Sequence, residues 1–233
     1  IAFIFYFLTL GNNIDIYFWQ FLFRYIHVLA GTMWIGLLWY FNFVQIPNMP
    51  KIPDDQKPAI GKVIAPAALW YFRWAALFTF LTGLYLLWYL DYKNSYSIGI
   101  SLGSLMATIM FLNVWLIIWP NQKKVIAGTD DAAQAGAKAA LASRTNTLFS
   151  FPMLYFMIYS AHISDGKNYF YEIPGVAASG WDMPALYIGT AIILAIEANV
   201  IFGKMRKFME SVKAVIHSGL ALTVLFALLV YYY

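Results

Sequence analysis

The sequence predicts an all-α protein, a polytopic transmembrane bundle of about six spanning helices with a partial helix at its N-terminus. Three observations predict it. Hydrophobic residues make up 62% of the 233 positions and charged ones only 11%, with a mean hydropathy of +0.65, against about 45–50% apolar and about 25% charged in soluble domains. The apolar residues fall into separate runs of the ~20 residues that cross ~30 Å of hydrocarbon. The Lys and Arg between those runs alternate in density loop by loop, as repeated crossings require.

The runs lie at about 17–44, 64–90, 97–119, 146–163, 182–203 and 210–232, and together they form one integral membrane domain over 1–233. Ahead of them, residues 1–10 are apolar but too short to span, so they read as the end of a trimmed helix or an interfacial segment. Residues 132–145, AAQAGAKAALASRT, are rich in helix formers and predict an extension of the fourth helix beyond the bilayer, with Asp130 and Asp131 near its positive end. The Gly- and Pro-punctuated, aromatic stretch 164–184 predicts a loop on the membrane surface. The 9 Trp, 17 Tyr and 19 Phe suit a bilayer, where amphipathic rings settle at headgroup level.

Eleven of the 15 basic residues fall in segments 45–63, 120–145 and 204–213: Lys51, Lys57, Lys62, Lys123, Lys124, Lys138, Arg144, Lys204, Arg206, Lys207 and Lys213. The alternate segments hold Lys93 and Lys167, and Arg24 and Arg73 lie inside spans. By the positive-inside rule the Lys-rich loops are cytoplasmic and the C-terminus is outside, in a bacterial inner membrane. The formal charge of +4 is accounted for by anionic lipid, and no soluble basic module exists to bind nucleic acid. With no cysteine, the chain has no disulfide, thiolate metal site, iron–sulfur ligation or covalent haem attachment through a Cys pair. Neither a phosphate-binding Gly loop nor a hydrolase motif is present.

Ionisable groups at membrane depth cost about 2.5–3.5 kcal/mol on insertion scales, so each asks for a partner or a purpose. His27 stands ~15 Å into the first span, on one stripe with Gln20, Arg24, Gly31 and Trp34. That stripe suits a haem edge: an axial imidazole, a small residue beside the macrocycle, and an Arg nearer the surface for a propionate. It equally suits a buried His and Arg bonded to neighbouring helices. His217 in the last span falls at similar depth, so His27 and His217 are candidate axial ligands of one haem b iron. His162, near the outer end of the fourth span, reads as an interfacial hydrogen bonder or as a secondary ligand or proton relay. Arg73, Asn113 and Glu197 share a level with His217 and predict a polar cluster, either an ion pair fixing the bundle or a proton path or quinone headgroup site.

Three blocks carry a family resemblance: RYIHVLAGTMWIGLLWYFNFVQIP (24–47), ALWYFRWAALFTFLTGL (68–84) and SRTNTLFSFPMLYFMI (143–158). They resemble the membrane domain at the N-terminus of bacterial membrane-bound urate oxidases. The resemblance implies a helical membrane domain that works with a c-type cytochrome in an oxidation. It places Arg24 and His27 in the first matching block, Arg73 in the second, and Arg144, Asn146 and Pro152 in the third. Family members carry a C-terminal cytochrome c domain, whereas this chain ends after its last span without a Cys, so it looks like a stand-alone relative whose electron acceptor is another protein or a quinone.

The leading expectation is therefore a b-type haem or quinone-linked redox protein that passes electrons to a separate cytochrome or respiratory membrane partner. The alternative is a non-catalytic accessory subunit of a larger respiratory or photosynthetic complex, its polar groups serving as glue between helices. A transporter would need a polar path, and neither broken helices nor an inverted repeat supports one. Substrate and oligomeric state are not written in the sequence.

Overall fold

The computed structural model describes residues 4, 14–93, 95–162 and 184–232. The expected N-terminal partial helix apart from Ile4, and the expected outer loop at 164–184 apart from Pro184, lie outside the described residues. Seven helices carry the fold: α1 (Ile16–Trp39), α2 (Ala65–Tyr92), α3 (Ile98–Leu112), α4 (Trp119–Ala127), α5 (Ala132–His162), α6 (Pro184–Phe202) and α7 (Val212–Tyr232). Side-chain caps start three of them, including α7, where Ser211 Oγ accepts the Ala214 N–H at 3.1 Å. Asp15 accepts the Phe18 N–H at 3.0 Å, and Ser97 accepts the Ile100 N–H at 3.3 Å, each satisfying a donor with no partner in the first turn. Gly128, in the left-handed region at φ 67°, ends α4 and allows the sharp return into α5.

Five stretches are long and apolar enough to cross a membrane: Ile16–Lys51, Lys57–Tyr92, Ile98–Ala127, Pro184–Phe202 and Val212–Tyr232. Their outward faces remain apolar, with Leu29, Trp70, Leu116, Leu194, Phe202 and Val224 all exposed. Large continuous apolar surface of this kind requires an oily surrounding. The sixth expected span is present as α5 but is not one of the five. It occupies the centre, packing on α1, α3, α4, α6 and α7. Seven consecutive residues, Arg144 to Ser150, are buried, so about two turns of this helix present no face to lipid. Its polar residues lower its hydropathy because they meet protein rather than acyl chains. The helical extension over 132–145 is also observed, as the first half of α5.

The remaining packing is built around that axis. α1 lies along α2, α3 and α7 lie against α5, and α6 fills in beside α3, α5 and α7. Trp34, Leu38, Phe72, Met106, Met110, Phe149 and Phe156 form the core between them. Gly103 lets α3 approach α5 closely, since an added Cβ would come within 3.0 Å of Phe156 Cβ; small residues serve this purpose in membrane bundles. At one end of the bundle, Lys93 donates to the Tyr17 hydroxyl at 3.4 Å and stands 5.0 Å from that ring, clipping α2 to the start of α1. The phenol and the neighbouring rings of Tyr89 and Tyr92 hold its ammonium pKa above the usual value.

Three turns at the opposite, Lys-rich end are π-helical: Tyr40–Gln45, Ile60–Ile64 and Asn113–Ile118. Each ends two residues before a proline, namely Pro47, Pro66 and Pro120. Proline has no N–H to give the ladder, and its ring crowds the carbonyl one turn back. Widening the preceding turn relieves that crowding without ending the helix. Two of these prolines are followed by asparagines that return a donor to the disturbed ladder. Asn48 donates to the Val44 carbonyl and Asn121 to the Ile117 carbonyl, each at 2.7 Å.

Candidate functional site

Two of the widened turns, Tyr40–Gln45 and Asn113–Ile118, sit beside the most polar part of α5, the run Ser143-Arg144-Thr145-Asn146-Thr147, which continues to Ser150. Because α5 is enclosed, the polar side chains of this run reach several different neighbours. Ser143 Oγ accepts from Asn42 Nδ2 at 2.8 Å, and Ser150 Oγ accepts from Trp39 Nε1 at 2.8 Å, tying α5 to α1 and its π turn. Thr145 Oγ1 points to Met209 Sδ at 3.9 Å, in the short helical turn Lys207–Glu210 before α7. Thr147 turns back on its own helix, donating to the Ser143 carbonyl at 2.9 Å.

Asn146 faces the third side. Its Nδ2 donates to the Met110 carbonyl at 2.9 Å, where the ladder of α3 passes into the π turn, and its Oδ1 accepts from Asn113 Nδ2 at 2.9 Å. Asn113 Nδ2 also reaches Glu197 Oε2 at 3.1 Å, so a carboxyl on α6 and two amides on α3 and α5 form one chain across three helices. Asn113 and Asn146 are buried and Glu197 is half-buried. The expected clustering of Asn113 and Glu197 is thus observed, with Asn146 as a third member.

Arg73 does not join it. Its guanidinium lies 3.6 Å from the centroid of the Trp119 ring and 5.7 Å from that of Trp115, and Nη1 has no hydrogen-bond partner. Stacking on an indole compensates a desolvated guanidinium through the ring quadrupole, and this replaces the ion pair with Glu197 that similar depth had suggested. The ion pairs among the described residues are Lys57 with Asp54 at 2.5 Å and Lys124 with Asp131 at 2.6 Å, both near the Lys-rich end.

The histidines are dispersed. His27 Nδ1 donates to the Thr79 carbonyl at 2.9 Å and lies 3.2 Å from Thr82 Oγ1, which bonds it to α2. A carbonyl partner fixes the proton on Nδ1 and leaves Nε2 with its lone pair. Gly31 and Gly83 line the same contact. A Cβ at Gly31 would meet Thr79 at 3.7 Å, and one at Gly83 would meet the His27 ring at 3.2 Å. Arg24 is exposed on α1. His217 is exposed on α7, whose packing is on α5, α6 and the Lys207–Glu210 turn, while that of α1 is mainly on α2, with a smaller contact on α5. His162 closes α5 and is exposed.

A pinned Nδ1 suits a ligating imidazole, but His27 is turned into the α1–α2 contact and His217 is exposed on α7, so the structure does not bring the two rings together. Two shallow depressions of the described surface are lined by neither. One lies among Leu225, Leu228, Leu229 and Tyr232 on α7, and the other among Met33, Leu37, Val63, Ile64, Ala67, Ala68 and Tyr71 between α1 and α2. Among the described residues no group of three His, Asp or Glu could hold a metal ion.

Sequence reasoning did not single out Asn42, Ser143, Ser150, Thr79 or Thr82 as members of this network. Asn42 carried a signal, since an amide five residues before a proline in an apolar span is costly unless it has work to do.

Fold and polar band together define a class: a helical bundle of membrane-spanning type, organised around one enclosed helix with hydrogen-bonding side chains on every face. A family model described as urate oxidase N-terminal matches residues 97–173, which take in α3, α4 and α5 with Asn113, Arg144 and Asn146. This is the family that the blocks at 24–47, 68–84 and 143–158 resemble. No curated protein and no solved structure matches the chain.

Proposed function

We propose that this chain is a membrane-embedded, quinone-linked redox module that exchanges electrons with a separate cytochrome or respiratory partner. The observation that carries the reading is the Glu197, Asn113, Asn146 chain. It holds a carboxyl and two amides at depth in the bundle, and Glu197 sits on α6, which borders the surrounding lipid. A quinone dissolved in that lipid offers carbonyl oxygens that become hydroxyls on reduction. Both N–H groups of the Asn113 amide are taken, by Asn146 and by Glu197, so Asn113 orients the carboxyl, and the half-buried Glu197 supplies or takes up the proton that accompanies reduction of such an oxygen. The family match over α3 to α5 supports an oxidation as the setting. The chain is oriented in a bacterial inner membrane with its Lys-rich end in the cytoplasm, and single cysteines introduced at Lys124 and Lys93 into this Cys-free chain will report the two sides by labelling.

The test is binding of a short-chain quinone by the purified chain in proteoliposomes, and its reduction when an added reduced cytochrome supplies the two electrons. Glu197→Gln, which keeps the hydrogen bond from Asn113, should retain folding and quinone binding and lose proton-coupled reduction. Unchanged behaviour of the variant would refute the assignment. A visible spectrum taken with and without dithionite tests haem separately, and a Soret band would require ligands other than a His27 and His217 pair. A second reading is favoured by one observation, that most bonds of the band join helices: the band then serves only as glue in an accessory subunit. Co-purification in fixed stoichiometry with a larger complex, without quinone binding, would establish it.

A further inference from the structure

Arg144 is the most deeply buried cation among the described residues. It is 7% exposed, its Nη1 has no partner, and among the described residues it has no carboxylate, no hydrogen bond and no ring against it. Arg73, the other guanidinium with an unpartnered Nη1, has Trp119. A guanidinium cannot shed its proton at any relevant pH, and burying one without a counter-charge costs several kcal/mol. The compensation therefore comes from outside the described chain.

The surroundings specify its chemistry. Ser143, one residue before, is bonded to Asn42, and Thr145, one residue after, meets Met209. Arg144 is therefore held at the level of the first π turn and of the segment leading into α7. That segment carries Lys204, Arg206, Lys207 and Lys213 against one acid, Glu210. Arg206 is bonded to Asn199 Oδ1 at 2.9 Å, and all four cations of this stretch are exposed. On the other side, Asn42 Oδ1 and, one turn along, Gln45 Oε1 are buried acceptors without donors. A fork of N–H donors matches a phosphate or carboxylate in two-point contact, while the two free acceptors call for hydroxyl donors.

We propose that Arg144 is the anchor of an oxyanion site at the Lys-rich end of the bundle, built for a phosphate group whose hydroxyl substituents bond Asn42 and Gln45. The phosphate comes from an anionic lipid headgroup or from a free phosphate compound. The site stands apart from the quinone reading and fails independently of it.

The experiment uses the full chain in nanodiscs of phosphatidylcholine alone, of phosphatidylcholine with phosphatidylglycerol, and of phosphatidylcholine with inorganic phosphate added, reading Tm in each and bound lipid by native mass spectrometry. Saturation should raise Tm by about 5 °C or more. A rise with phosphatidylglycerol alone identifies the lipid headgroup, and a rise with inorganic phosphate alone identifies the free solute. Arg144→Gln should abolish the rise, whereas Arg206→Gln, on the exposed surface, should keep it. Arg144→Lys, which retains the charge without the fork, should respond less than half as strongly, and it decides the matter if Arg144→Gln does not fold. A wild-type Tm indifferent to both anions, or an undiminished rise in the Arg144 variants, overturns the proposal.

Discussion

Removing the Asn146 amide probes the polar band at its most connected point. Asn146→Leu deletes two hydrogen bonds, to the Met110 carbonyl and from Asn113, each 2.9 Å long and buried. A neutral bond nets about 0.5–1.5 kcal/mol, and a buried group left without a partner costs about 1–3 kcal/mol. Neither surviving group is stranded, however. Asn113 Nδ2 keeps Glu197, and the Met110 carbonyl keeps the backbone N–H of Asn113. Interhelical bonds in membrane bundles average nearer 0.6 kcal/mol, reaching about 1.7. The expected loss is therefore about 1–2 kcal/mol. A cycle of Asn113→Ala, Asn146→Ala and the double variant, unfolded with SDS in mixed micelles, should return a coupling of about 0.6–1.7 kcal/mol. Coupling below about 0.3 kcal/mol, within the scatter of independent sites, would refute the claim that the two amides act as one unit.

Two glycines on different surfaces should respond oppositely to alanine. At Gly219 the new Cβ would press into the Phe151 ring, which is stacked on Trp39 at 5.5 Å, so Gly219→Ala should cost about 1–3 kcal/mol of unfolding stability. Nothing lies within 4 Å of a Cβ at Gly36, where Gly36→Ala should be neutral or stabilise by up to about 1 kcal/mol. Arg73→Gln should lose about 0.5–2 kcal/mol with a shift in Trp119 emission, and an unchanged spectrum would show that the cation does not rest on that ring. Lys124 and Thr129 hold the Asp131 carboxyl below its usual pKa. A depressed folded value stabilises above the unfolded pKa of about 3.9, and the contribution is lost as pH falls through the lower folded value. The protection factor of the Ala135 amide, bonded to the Asp131 carbonyl at 2.9 Å, should therefore fall under acid in the wild type once the slower intrinsic exchange is divided out. Asp131→Asn should show no such pH dependence.

The bundle was legible because its signal is additive. Five runs announce themselves by length and apolarity, and the Ala-rich start of α5 by helix propensity. α5 itself shows where that signal weakens, since an enclosed helix need not be apolar and only its neighbours reveal that it is enclosed. Within the candidate site, Asn113 and Glu197 were recognisable as isolated polar residues in apolar spans, and Asn146 by its place in the Arg-x-Asn-Thr block. What stayed hidden was partnership. Equal depth made Arg73 and Glu197 look like a pair, and His27 and His217 another, but depth fixes one coordinate and the azimuth of each helix fixes the rest. Arg73 turns to Trp119 and His27 to Thr79, neither of which a charge-matching argument would select.

Three prolines at one end of the bundle also set that azimuth. An α-helix turns about 100° per residue, so the extra residue admitted by a widened turn rotates everything beyond it relative to an unbroken helix. In the stretch from Ile98 to Ala127 the turn lies between Asn113 and Trp119, letting one continuous rod present its amide to α5 and α6 and its indole to Arg73 on α2. Deleting a single residue there would leave composition and length almost untouched and yet swing the inner third of the rod out of step with its neighbours.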